Sequence, residues 1–170
     1  MTNDYLLYLV EKYGNTGVIY DTNLLLLYFC GLHDRRLITT FKRLAKFTPD
    51  DFYILCKAAT LFRRLITTPH ILSEVSNLLD GVAPHIRENA YQTFASQLTI
   101  VKEIFLPAIE VSKADCFGKL GLSDSGIRVL SERNYLVLTE DFPLLSRLQS
   151  LGLTALNFNH LRGLNWFGNQ

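Results

Sequence analysis

The chain has few cysteines, almost no net charge, no low-complexity stretch, and no hydrophobic run long enough for a bilayer. Each shortage removes a class of explanation. Cys30, Cys56 and Cys116 lie far apart and form no CxxC pair, which argues for reduced, mostly buried thiols rather than a disulfide framework or a zinc site. The most apolar stretch, residues 17–32, is short and broken by Asp21 and Asn23, so no membrane span is expected. Residues 1–14 (MTNDYLLYLVEKYG) contain Asp4 and Glu11 and lack a basic leader and a small-residue cleavage site. They read as an amphipathic helix capped by Asn3 or Asp4, not as a signal peptide, and the expected location is cytoplasmic. A net charge of +1 excludes an overt polycation, although several acids gathered in one pocket would leave a basic surround.

What is present is a chain of 170 residues, 48% hydrophobic and 19% charged, enough for one domain with its own core. Val18-Ile19-Tyr20 is a continuous apolar run, the mark of a strand buried on both faces. It is followed by Asp21-Thr22-Asn23 and a long apolar helix. Residues 35–46 read as a basic amphipathic helix, and Thr48-Pro49-Asp50-Asp51 as the start of the next. Leu65–Thr68 is a second strand, and Pro69 opens a helix that Asp80-Gly81 ends. Residues 84–105 read as helical, with an irregularity near Pro107. Ser123 or Asp124 starts a further helix, Tyr135–Thr139 is the clearest strand, and Glu140-Asp141-Phe142-Pro143 starts another helix. Residues 152–157 form a last strand, and 158–170 a tail. Strands alternating with helices predict an α/β fold with helices on both faces of a central, mostly parallel sheet of four to five strands.

In such sheets, functional groups gather beyond the carboxyl ends of the strands. Asp21, Asp124 and Asp141 stand where helices begin, Glu74 lies on the helix after the second strand, and Asn23 and Thr139 are their neutral neighbours. Aspartate is a favoured N-cap, so capping is the plain alternative for the three aspartates. It does not serve for Glu74, which lies at the border of the apolar arc of Ile71, Leu72, Val75, Leu78 and Leu79. Its plain alternative is a carboxylate reaching solvent. Carboxylates brought together raise one another's pKa, a penalty that a hard divalent cation with oxygen ligands removes. No lysine or histidine adjoins these acids in sequence to act as a counter-ion.

The segments VIYDTNLLL, TTPHILSEVSNLL, LSDSGIRVLSERNYLVLTEDFPLLSRL and LTALNF together resemble a PIN domain over roughly residues 17–157. The resemblance implies a three-layer α/β/α domain, from whose compact form this chain departs by helical insertions at about 35–64 and 84–120. It also implies that Asp21, Glu74, Asp124 and Asp141 hold Mg²⁺ or Mn²⁺ and are the catalytic residues, with Asn23 and the Thr139 of the T-x-D motif in support. The implied activity is endonucleolytic hydrolysis of single-stranded or loop RNA, as in VapC-like toxins of toxin–antitoxin pairs. An antitoxin protein and a homodimer are partners that follow from the same likeness.

For RNA, the basic side chains Arg35, Arg36, Lys42 and Arg43, with Lys46 and the pair Arg63-Arg64, could flank the acids and take phosphates. A solvated helix face is the plain alternative for each. Phe52, Tyr53 and Phe62 could stack on bases, but at helical spacing they read as core. His70 could touch substrate, or simply lie at the surface of a helix start. Trp166 and Phe167 could pack on the domain or meet a partner. Two other readings exist: a catalytically silent module of the same fold that binds RNA or protein, and a dehalogenase-type phosphatase. The second needs D-x-D where this chain has Asp21-Thr22-Asn23.

Overall fold

The strands are short because each apolar run is short. In the computed structural model, which describes residues 2–164, they are β1 (Val18–Tyr20), β2 (Leu65–Thr67), β3 (Lys102–Glu103), β4 (Leu136–Thr139) and β5 (Ala155–Asn157). Every pairing is parallel, in the order β3-β2-β1-β4-β5. All residues of β1 and β4 are buried, as strands covered on both faces require. The chain builds outward from β1 to one edge through β2 and β3, then crosses to the other side for β4 and β5. The switch in direction falls between β1 and β4, and the Asp21 amide donates to the Leu138 carbonyl across it at 3.1 Å.

The helices are α1 (Asn3–Tyr13), α2 (Thr22–His33), α3 (Arg36–Thr40), α4 (Pro49–Thr60), α5 (Pro69–Leu79), α6 (Pro84–Gln97), α7 (Ala108–Val111), α8 (Phe117–Ser131), α9 (Phe142–Ser150) and α10 (Phe158–Arg162). They flank the sheet in an α/β/α arrangement, the fold class expected. The second helix has Leu24, Leu25, Leu26, Leu27, Phe29 and Cys30 all buried. It packs on α4, α5 and α6, and the absence of a side chain at Gly31 makes room for the ring of Phe52. Burying each large side chain stabilises by roughly 1.5–3 kcal/mol, so this helix anchors the residue that begins it, Asp21. One hydrophobic cluster runs from Leu9 to Leu161, and it includes Phe52 and Phe62, the core role expected of them, whereas Tyr53 is exposed and not core. Among the described residues, no helix is long and apolar enough to cross a membrane.

Four local expectations need correction. Thr2, not Asn3 or Asp4, caps α1. The basic helix expected over 35–46 is broken: α3 ends at Thr40, and a single 3₁₀ turn covers Lys42–Leu44. The hydroxyls of Thr39 and Thr40 both donate back to the Arg36 carbonyl, at 3.1 and 2.9 Å, a competition with helical bonding that ends the helix. The helix expected over 84–105 stops at Gln97, and the chain then adds the edge strand β3 beside β2. The tail begins with α10, whose Phe158 and Leu161 are buried; Trp166 and Phe167 lie outside the described residues.

Candidate acidic site

Each acid owes its place to a local rule of the chain. Asp21 follows β1 in extended conformation and caps α2, its Oδ1 accepting from the Leu24 amide at 2.8 Å. Its Oδ2 accepts from the Thr139 hydroxyl and from the Glu140 amide, the latter at 3.0 Å. Asp141 caps α9 in the same way, accepting from the Leu144 amide at 2.8 Å. The Thr139 hydroxyl also accepts from the Asp141 amide at 2.9 Å. One hydroxyl at the end of β4 therefore ties both aspartates to the sheet. Capping and clustering are compatible: Asp21 and Asp141 cap helices and also belong to the group of acids.

Glu74 is held by the residue after Asp21, since the Thr22 hydroxyl donates to its Oε2 at 2.8 Å. Asp124 is placed by a glycine. Gly121 breaks α8 with φ 73° and ψ −168°, a region open to residues without a Cβ, and Asp124 lies in the first turn after the break. That second segment packs tightly on the start of α5. A Cβ added at Gly126 would lie 3.7 Å from the His70 ring, and the Ser123 hydroxyl donates to the His70 carbonyl at 3.2 Å. His70 is itself part-buried, its Nε2 within 2.9 Å of the Leu106 carbonyl. This makes it a structural clasp rather than a surface side chain.

Asp124 lies within electrostatic reach of the other three acids. Burial pushes the Asp124 carboxyl up from 3.8 to about 7, and the charges of Asp21, Asp141 and Glu74 each add to the rise. Asp21 is pushed up to about 6, chiefly by burial, against the opposing effect of its three hydrogen bonds. Asp124 has no hydrogen-bond or ion-pair partner among the described residues. It is not a cap, and its role is not explained by local structure.

The donor set suits a hard cation: all four side chains offer carboxylate oxygen, and no positive charge moderates Asp124. As the side chains stand, no three acidic, histidine or cysteine groups among the described residues converge on an ion-sized point. Glu140, the residue between Thr139 and Asp141, is ion-paired with Lys46. That lysine is remote in sequence, so the acids do acquire one nearby cation, directed at Glu140 rather than at the four.

Beside Asp21 and Glu74 lies a groove of about 820 Å³, lined among others by Asn23, Lys42, Arg43, Lys46 and Asn77. Asn23 therefore lines this groove, whereas Thr139 holds the acids directly. Lys42 and Arg43 are exposed there and without acidic partners among the described residues. Arg35 is elsewhere occupied: it donates to the Tyr53 hydroxyl and stacks 4.7 Å from that ring. Arg36 pairs with Asp34 at 2.7 Å. Arg63 and Arg64 precede β2 and so lie at the opposite end of the sheet from the acids. Sequence reasoning missed Thr22 as the holder of Glu74. Its position directly after the strand-end aspartate is the one clue it offered. Comparison of the chain with family models, with curated proteins and with solved structures returns no match of any of the three kinds.

Proposed function

We propose that this chain is a divalent-metal-dependent ribonuclease of the PIN type, cutting single-stranded or loop RNA within the strand. The observation that carries the reading is Asp124: a half-buried carboxylate with no hydrogen-bond or ion-pair partner among the described residues, its pKa raised by burial and by three other carboxylates. Such an arrangement is unfavourable in itself and is relieved by binding Mg²⁺ or Mn²⁺. Asp21, Glu74 and Asp124 would hold the ion, with Asp141 contributing through water or to a second ion. A metal held there supplies an activated water and charge neutralisation at a phosphodiester. Thr139 fixes Asp21 and the Asp141 backbone, and Thr22 fixes Glu74, so the side chains would close on an ion from anchored positions. Lys42 and Arg43 take phosphates of the incoming strand, in the groove that Asn23 also lines.

The test is incubation of the protein with single-stranded RNA of varied sequence and Mg²⁺ or Mn²⁺. Internal cleavage that stops with chelator and with Asp124→Asn is the expected result. A folded protein that binds Mn²⁺ yet cuts no RNA overturns it. A protein that binds RNA without cleaving it and takes up no metal would establish the silent-module reading instead.

A further inference from the structure

A second groove lies along the helices that carry Asp124 and Asp141. It lies between α8 and α9, has a volume of about 590 Å³, and is lined among others by Lys119, Leu120, Phe142, Pro143 and Arg147. None of the four acids lines either groove, but each groove runs along helices that begin at or carry two of them. The helices that carry Asp21 and Glu74 wall the first, through Asn23 and Asn77. The helices that carry Asp124 and Asp141 wall the second, through Leu120 and Phe142.

We propose that the groove between α8 and α9 is a nucleotide subsite beside the cleavage point, with Phe142 stacking on a base and Lys119 holding the adjoining phosphate. The inference rests on the nuclease reading and extends it to named residues. Phe142 is 71% exposed, whereas the buried face of its helix is Leu144, Leu145 and Leu148. Among the described residues its ring belongs to none of the aromatic contacts that tie other rings together, such as the Phe47–Phe158 pair. The preceding residue is Asp141, whose cap bond fixes the helix start, and the following Pro143 stiffens it. An exposed ring is thus held one residue from a carboxylate of the site. Bases of any sequence stack on such a face, and a nearby cation follows the backbone. Of the two cations in the groove, Arg147 is paired with Asp115, whereas Lys119 is exposed and unpaired among the described residues. That leaves Lys119 for phosphate.

The experiment measures binding apart from cleavage. The full chain is titrated, in chelator, into a fluorescently labelled single-stranded RNA of about 12 nucleotides, and anisotropy is read at several salt concentrations. Phe142→Ala should weaken binding roughly tenfold and Phe142→Trp should restore it, the range expected for one stacked base. Lys119→Ala should lower the slope of log affinity against log salt by about 0.7, the value for one phosphate contact on a single strand. An abasic residue scanned along the RNA should find one position where the wild type loses roughly tenfold and Phe142→Ala loses nothing further. Thermal melts check that the variants fold, which the exposure of Phe142 favours. If the wild type binds and cuts RNA but Phe142→Ala is indistinguishable from it, the inference falls while the nuclease reading stands. Phe142 would then be left for another role, such as a protein contact. If the wild type neither binds nor cuts RNA, both fall.

Discussion

Two aspartates are buried to the same degree in this protein and sit in opposite electrostatic surroundings. Asp21 is 2% exposed and Asp51 3%. Asp51 lies in the first turn of α4, closes a capping box with Thr48, and accepts two bonds from the Arg162 guanidinium at 2.7 and 2.8 Å. Its charge is answered, and it fastens α10 to α4. The neighbours of Asp21 are hydroxyls, amides and other acids. Burial alone therefore does not mark a functional acid; the sign of what faces it does.

The comparison can be broken most decisively at Asp124. Asp124→Asn should lower RNA cleavage by roughly a thousandfold or more, the scale of losing a metal's stabilisation of the reacting phosphate. The same change should leave metal-free stability equal or higher, because it removes a repelled charge. Cleavage assays and urea melts in chelator check the two halves, and a marked loss of stability would place Asp124 with Asp51 as a structural acid. Asp51→Ala should do the converse. It strands Arg162 and removes a cap partner, costing about 1–3 kcal/mol in urea unfolding, with cleavage within a factor of about two at temperatures where the fold persists.

pH separates the two regions more gently. Asp21 and Asp124 titrate at about 6 and about 7 in the folded chain, against 3.8 for a free aspartate. Between about pH 4 and 7 the folded state thus binds more protons than the unfolded state, and stability falls as pH rises through that window. Metal-free protein should melt at a higher temperature at pH 5 than at pH 7.5, and Mn²⁺ should narrow the gap by stabilising the ionised form. A melting temperature that rises between pH 5 and 7.5 in chelator would contradict the repulsion. The smallest effect concerns the basic surround. Lys42→Ala with Arg43→Ala should lower the salt slope of RNA binding by about 1.4, two phosphate contacts, while Arg63→Ala with Arg64→Ala should leave it unchanged.

How much of this was legible in the sequence depends on how local the cause is. Asp21 announced itself because a continuous apolar run ends at it, and Glu74 because it stands at the edge of a helical apolar arc. Both the α/β fold and the proximity of the acids follow from where strands end. The strand β3 was illegible: two charged residues, Lys102 and Glu103, carry no hydrophobic pattern, and they pair only because β2 offers them a partner. The break at Phe41 was hidden because the basic and apolar spacing continues across it, while the threonines that end α3 act through their hydroxyls. Long-range placement was hidden too. Lys46 meets Glu140 from across the chain, and Phe142, in a pattern that suits a buried helix start, faces out.

The hydroxyl of Thr139 joins residues 118 positions apart. A bond of that span closes only after β4 has docked beside β1, late in any ordering of events by loop length. Until then Asp21 can remain in water, and the chain up to α6 can assemble without the repulsion that the finished site contains. The charge crowding therefore belongs to the assembled sheet, where the core around α2 holds it.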